Sequence, residues 1–202
     1  RTILCLGPVG GTLGGAVSLF QVTLEGLAAL PNLEIEVIDT APPPNYYVYK
    51  THLVNNETLN RAYRIIAEFR SKIGRADAVL FYANRELALA VGPVLTLIAK
   101  MYKKPIYLKT IAGNLAMGLA EANAPLRRYA LSVMNSFTGI FAETQLLQHE
   151  LQELGYRKVY YVPNCRPEAS LPPADLAPQM GQARLVFISQ INRLKGVFLI
   201  FE

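Results

Sequence analysis

Short apolar stretches alternate with stretches of helical periodicity along nearly the whole of this 202-residue sequence, and that alternation is the strongest constraint on its fold. The apolar stretches are Thr2–Gly7, Glu34–Asp39, Ala78–Tyr82, Ile106–Lys109, Gly139–Glu143 and Lys158–Val162. Their near-continuous apolar character predicts strands buried on both faces. Helices are predicted between them, over Gly15–Leu30, Glu57–Ile73, Leu87–Met101, Pro125–Ser136 and Gln145–Leu154, with Gly155 as a stop for the last. Strand and helix in strict alternation imply an α/β fold: a doubly wound, mostly parallel, Rossmann-like sheet with right-handed crossovers. In such sheets ligands bind beyond the carboxyl ends of the strands. The loops that fall there carry Asp39, Ala83-Asn84-Arg85, Thr110 to Asn114 and Glu143-Thr144.

The first of those loops is the richest in glycine. Gly7-Pro8-Val9-Gly10-Gly11-Thr12-Leu13-Gly14-Gly15 follows the first strand and opens directly into a helix. Glycines at such a junction let backbone N–H groups approach a phosphate, with the positive end of the helix behind them. The same residues also permit tight helix–sheet packing without a ligand, so the loop alone leaves both uses open.

Composition narrows the choice of partners. Half the residues are apolar (51%) and 17% charged, which fits a folded domain rather than a disordered chain. The net charge of +5 favours anionic partners. Arg61, Arg64, Arg70, Lys72, Arg75, Lys100, Lys103, Lys104, Arg127 and Arg128 carry much of it, scattered as on solvated helix faces or on a face that meets an anionic membrane. Nucleic acid is not expected, since Trp is absent and no basic tract is interleaved with aromatic residues. Cys5 and Cys165 lack metal-ligand spacing and make no disulfide framework, pointing to a reducing cytoplasm. His52 and His149 are isolated, so each reads as a solvated surface residue, and no metal is expected. The longest apolar run, Leu87 to Ala99, is too short to span a bilayer and reads as a buried helix.

Two loops break the alternation. The segment from Ala41 to Lys50 is rich in proline and carries Tyr46, Tyr47 and Tyr49, whose flat faces suit a sugar or a lipid headgroup, or pack on one another in a rigid surface loop. Ile111–Asn123, with Gly113 and Asn114, reads as a second long loop at the ligand edge. Residues 1–162 are therefore expected to form one domain. A Pro-rich linker follows over 163–183, and a new strand from Arg184 to Ser189, running into a helix cut off at Glu202, marks the start of a second α/β domain over 184–202.

Leu-Gly-Gly-Ala-Val after the first strand, Val-Pro-Asn-Cys at residues 162–165, and a strand leading to Lys195-Gly196 occur in that order. This sequence resembles the family 4 (group 1) glycosyltransferases, retaining enzymes built from two Rossmann-like domains in the GT-B arrangement. The resemblance covers the acceptor-side domain and the start of the donor-side domain. It implies that Gly14 and Gly15 meet the donor diphosphate, that Lys195 binds the same phosphates, and that Asn164 matches the linker asparagine, with Cys165 in place of the family's glycine. Ser189-Gln190 stands where the family has Gly-Arg, with Arg193 as a substitute guanidinium, and Ala112-Gly113 replaces a His-Gly step. The family's paired glutamates would lie past Glu202, so the chain by itself is expected to be inactive.

The resemblance thus implies a metal-independent transfer, without cofactor, from a nucleotide-diphosphate-sugar to a saccharide or lipid-linked acceptor, in polysaccharide or glycolipid biosynthesis. The acceptor would meet Tyr46, Tyr47, Tyr49, Gly113 and Asn114. The expected location is cytoplasmic, peripheral at the inner membrane face if the acceptor is lipid-linked. Two other readings stand beside it. One is a non-catalytic domain of the same fold used for binding or membrane docking. The other is a dinucleotide-binding domain with Asp39 on a ribose, although the glycine spacing does not match G-x-G-x-x-G.

Overall fold

The structure, a computed structural model, describes residues 1–10, 15–42, 56–111 and 115–165. All of them belong to one compact unit, Arg1–Pro167. The strands are β1 (Thr2–Gly7), β2 (Glu34–Asp39), β3 (Ala78–Ala83), β4 (Ile106–Thr110), β5 (Gly139–Ala142) and β6 (Val159–Tyr161). They form a single six-stranded sheet in the order β2-β1-β3-β4-β5-β6, and every pairing is parallel. The helices between them are α1 (Gly15–Ala28), α2 (Asn56–Lys72), α3 (Arg85–Met101), α4 (Leu115–Ala120), α5 (Ala124–Asn135) and α6 (Gln145–Glu153), with a 3-10 turn at Ile73–Arg75.

Alternation along each strand divides the core between two faces. Leu4 and Leu6, Val79 and Phe81, Ile106 and Leu108, and Ile140 and Ala142 point toward one face and pack with residues of α2 to α6. Ile3 and Cys5, Leu80 and Tyr82 point to the other, where Phe20, Leu24 and Leu27 of α1 cover them. The handedness rule explains the division. The β1-to-β2 crossover runs one way along the sheet and the later crossovers run the other, so their helices land on opposite faces. The α1 helix rests on β1 and β2. On its face, further along the sheet, Tyr107 of β4 stacks on Phe141 of β5 with ring centroids 5.2 Å apart, and Tyr160 of β6 meets Phe141 edge-on at 6.3 Å.

Local signals set the helix ends. Asn84, Asn123 and Thr144 cap α3, α5 and α6, each side chain accepting from the backbone N–H three residues on, at 3.0 Å. At the far end of α6, Gly155 takes φ +95°, its N–H donates to Gln152 O, and the N–H of Tyr156 donates to Leu151 O. That is a Schellman stop with buried Leu151 and Tyr156 as its apolar pair. The same bonds close α3, where Lys103 N–H reaches Lys100 O and Lys104 N–H reaches Ala99 O, with Lys103 at φ 54°.

The sequence expectation of a loop over Ile111–Asn123 is corrected: α4 lies within it. Leu115, Ala116 and Leu119 are buried there, and their burial outweighs the low helix propensity of Gly118. The expectation of a buried helix over Leu87–Ala99 holds for one face only. Ala88, Val91, Leu95 and Ala99 are buried, but Val94 and Leu97 are exposed. Pro93 sits inside that helix and cannot donate to Leu89 O; the Tyr129 hydroxyl of α5 donates to that carbonyl instead, at 2.8 Å.

Candidate functional site

The sheet order places the glycine-rich loop at a point of special use. Because β1 has β2 on one side and β3 on the other, the chain reverses its direction of travel across β1, and a crevice opens at the carboxyl ends of β1 and β3. The end of β1 with Pro8 to Gly10 and the start of α1, and Asn84-Arg85 after β3, lie at that edge.

The glycines of the loop do different work. A Cβ on Gly7 would fall 2.5 Å from the ring of Phe20, which is fully buried under β1, so Gly7 is there for packing. Gly10 lies against the Asp39 carboxylate, with its Cβ position 3.2 Å from Oδ2. Among the described residues, a Cβ on Gly15, the first residue of α1, would meet nothing within 4 Å. No described residue therefore makes a packing demand for a glycine there. The structure leaves Gly14 outside the described residues, together with Lys195, Arg193, Tyr46, Tyr47, Tyr49, Gly113, Asn114 and His52. Gly15 is therefore the sequence-derived site residue whose surroundings are visible.

Asp39 ends β2 and anchors the near side of the crevice. Its Oδ1 accepts from Val9 N–H at 2.9 Å and Ala41 N–H at 2.8 Å, with Gly10 N–H at 3.5 Å, while Thr40 N–H donates to Gly7 O at 2.9 Å. These bonds lace the loops after β1 and β2 together. Asp39 Oδ1 is thereby engaged in holding the glycine loop.

Across the crevice, Asn84 is committed to capping α3. Arg85 pairs with Glu86 at 3.0 Å and lies over α4, where Gly118 leaves room for its guanidinium. Beside Arg85 a shallow pocket is lined by Ala83, Asn84, Ala88, Leu108, Thr110, Leu115 and Met134. It is mostly apolar, and Arg85 with Thr110 supplies the polar rim.

A second polar cluster lies further along the same edge. Lys109 of β4 is only 3% exposed, and its ammonium donates to Val162 O just past β6. Burial pushes its pKa below the usual lysine value, and Glu143 opposes the shift. Asn164 donates to Glu143 Oε2 at 2.6 Å. These groups hold the exit of the chain from β6 against β4 and β5. Sequence reasoning passed over Lys109; the available signal was a lysine inside an otherwise apolar parallel strand.

The other titratable groups in the core are inert. Burial pushes the Cys5 thiol up to about 12, which keeps it protonated and unreactive. Burial also raises the Tyr82 phenol, whose hydroxyl meets Thr23 Oγ1 at 2.6 Å. His149 is exposed and pairs with Glu153 at 3.2 Å across one turn of α6. Several of the scattered cations also tie α2 and the 3-10 turn after it to the sheet edge: Lys72 donates to Val37 O at 3.0 Å, Arg61 donates to Thr40 O, and Arg75 of the turn meets Glu36 at 3.3 Å. Among the described residues no three His, Cys, Asp or Glu side chains converge as a metal site, and no helix is long and apolar enough to cross a membrane.

No protein-family model matches the sequence, and no curated relative matches it. Solved structures do match in fold. One is the crystal structure of Anabaena HepE in complex with UDP-glucose, 16% identical, with a TM-score of 0.47 over 81% of this chain and 43% of that chain. This chain thus spans less than half the length of that one. A likeness at that level adds nothing to the fold already read from the sheet order.

Proposed function

We propose that this chain is the acceptor-side half of a two-domain glycosyltransferase that moves a sugar from a nucleotide-diphosphate donor to a saccharide or lipid-linked acceptor, with retention of anomeric configuration. The observation that carries the reading is Gly15 at the switch point of the sheet, with no described residue packed against its Cβ position. Backbone amides at the start of a helix stabilise negative charge, and that charge grows on the diphosphate as the donor's glycosidic bond breaks. In this proposal Gly14 and Gly15 present those amides, while Lys195 and Arg193 supply cations to the same diphosphate. Asp39 acts indirectly, by fixing the loop that carries the glycines. The acceptor meets the Tyr46 to Tyr49 segment and Gly113-Asn114. The transfer uses no metal or cofactor, and the work is done in the cytoplasm, at the inner membrane face when the acceptor is lipid-linked.

The test is a calorimetric titration of the full-length protein and its Lys195→Ala variant with a panel of nucleoside diphosphates. Loss of a charge-assisted phosphate contact is expected to raise Kd about tenfold or more. An unchanged Kd would remove Lys195 from the donor site.

A further inference from the structure

The α3 helix is apolar on the side that faces the core and apolar again on the side that faces solvent. From Leu87 to Ala99 it carries no charged residue. Its buried side chains account for one stripe. Ala90, Val94, Leu97 and Met101 form a second stripe outside, with Leu97 60% and Met101 72% exposed. A helix apolar all round is ordinarily enclosed, so the outer stripe calls for a cover.

The neighbouring helices widen the patch. Tyr129 is fixed toward α3 by its bond to Leu89 O, and Leu126 precedes it by one turn; both are exposed. On α2, Arg61 and Lys72 reach β2, so the opposite flank of that helix, with exposed Leu59 and Tyr63, turns toward α3. Cations border the patch. Lys100 lies beside Met101, Lys103 follows the end of α3, and Arg127 and Arg128 sit beside Leu126 and Tyr129, all of them exposed. On α3 itself the one acidic residue is Glu86, at the far end and paired with Arg85.

We infer that the outer face of α2, α3 and α5 docks on an anionic lipid surface, with Val94, Leu97 and Met101 entering the headgroup region and Lys100, Lys103 and Arg128 meeting phosphates. Large exposed aliphatic side chains within a rim of cations are the chemistry of an interfacial helix face. An acidic protein partner would answer the cations but not the length of the aliphatic stripe, and a second copy of the same face would set cation against cation. The inference deepens the reading above, in which the acceptor is lipid-linked. Its test reads vesicle binding rather than transfer, so either can fail without the other.

The experiment is co-sedimentation of the full chain with phosphatidylcholine vesicles, either pure or containing about one-third phosphatidylglycerol. Binding is expected to the anionic vesicles only. Leu97→Glu combined with Met101→Glu should weaken it by more than about tenfold, since both side chains would carry charge into the headgroup region. Lys100→Gln combined with Arg128→Gln should weaken it roughly thirty-fold. Both pairs are exposed, so circular dichroism and thermal melts should match the parent. No binding to anionic vesicles overturns the inference. So does binding that the Leu97/Met101 pair leaves unchanged. A concentration-dependent dimer that Leu97→Glu dissociates, with no vesicle binding, would assign the face to a second copy.

Discussion

Gly7 and Gly15 end and begin adjacent elements, belong to one glycine-rich run, and answer to different forces. Gly7 is fixed by Phe20, because any side chain there enters space that a fully buried ring already fills. Gly7→Ala should therefore destabilise the fold by about 1–3 kcal/mol, seen as a lower urea midpoint with an unchanged slope. An unchanged midpoint would mean that Phe20 has somewhere else to go. Gly15 has no such neighbour among the described residues, which is why a substitution there can probe ligand approach without probing packing. The sequence shows the run of glycines but not this division of labour, since it depends on which residue of α1 lands over β1. Lys109 was hidden for a similar reason. Its charge suggests solvent, and only the passage of residues 162–164 over the end of β4 gives its ammonium an acceptor at Val162 O.

At the scale of elements, strand and helix spans were legible because apolar clustering and caps are local signals. Among the described residues every strand and every long helix lies within two residues of its expected span, and the strand expected at Arg184–Ser189 lies outside them. The short helix α4 was not legible, because its six residues are too few to show a helical period and include Gly118, and it is held by Leu115 and Leu119 packing into the core. The end of α3 shows a local cost that the sequence pattern also concealed. Lys103 adopts φ 54°, a conformation that costs a non-glycine residue roughly 1 kcal/mol. Lys103→Gly should accordingly stabilise the protein by about 0.5–1 kcal/mol, measured as a higher melting temperature. A lower one would show that the Lys103 side chain makes a compensating contact.

For the whole molecule, the alternation of elements implied a parallel sheet, but strand order is a non-local property. It is decided by which strand edge remains to be paired, and no single stretch of sequence reports it. The observed order is what turns a glycine-rich loop into one flank of a switch-point crevice. Asp39, a residue with a plausible ligand role in sequence, then becomes the brace that holds that loop. The central claim is that the start of α1 at Gly15 receives the donor diphosphate. The most direct measurement is the rate of sugar transfer from nucleotide-diphosphate-sugars by the full-length protein and by its Gly15→Val variant, with melting curves for both. The account predicts that kcat falls at least about a hundredfold while the melting temperature stays within a few degrees. Transfer by the variant at the parent rate would contradict it.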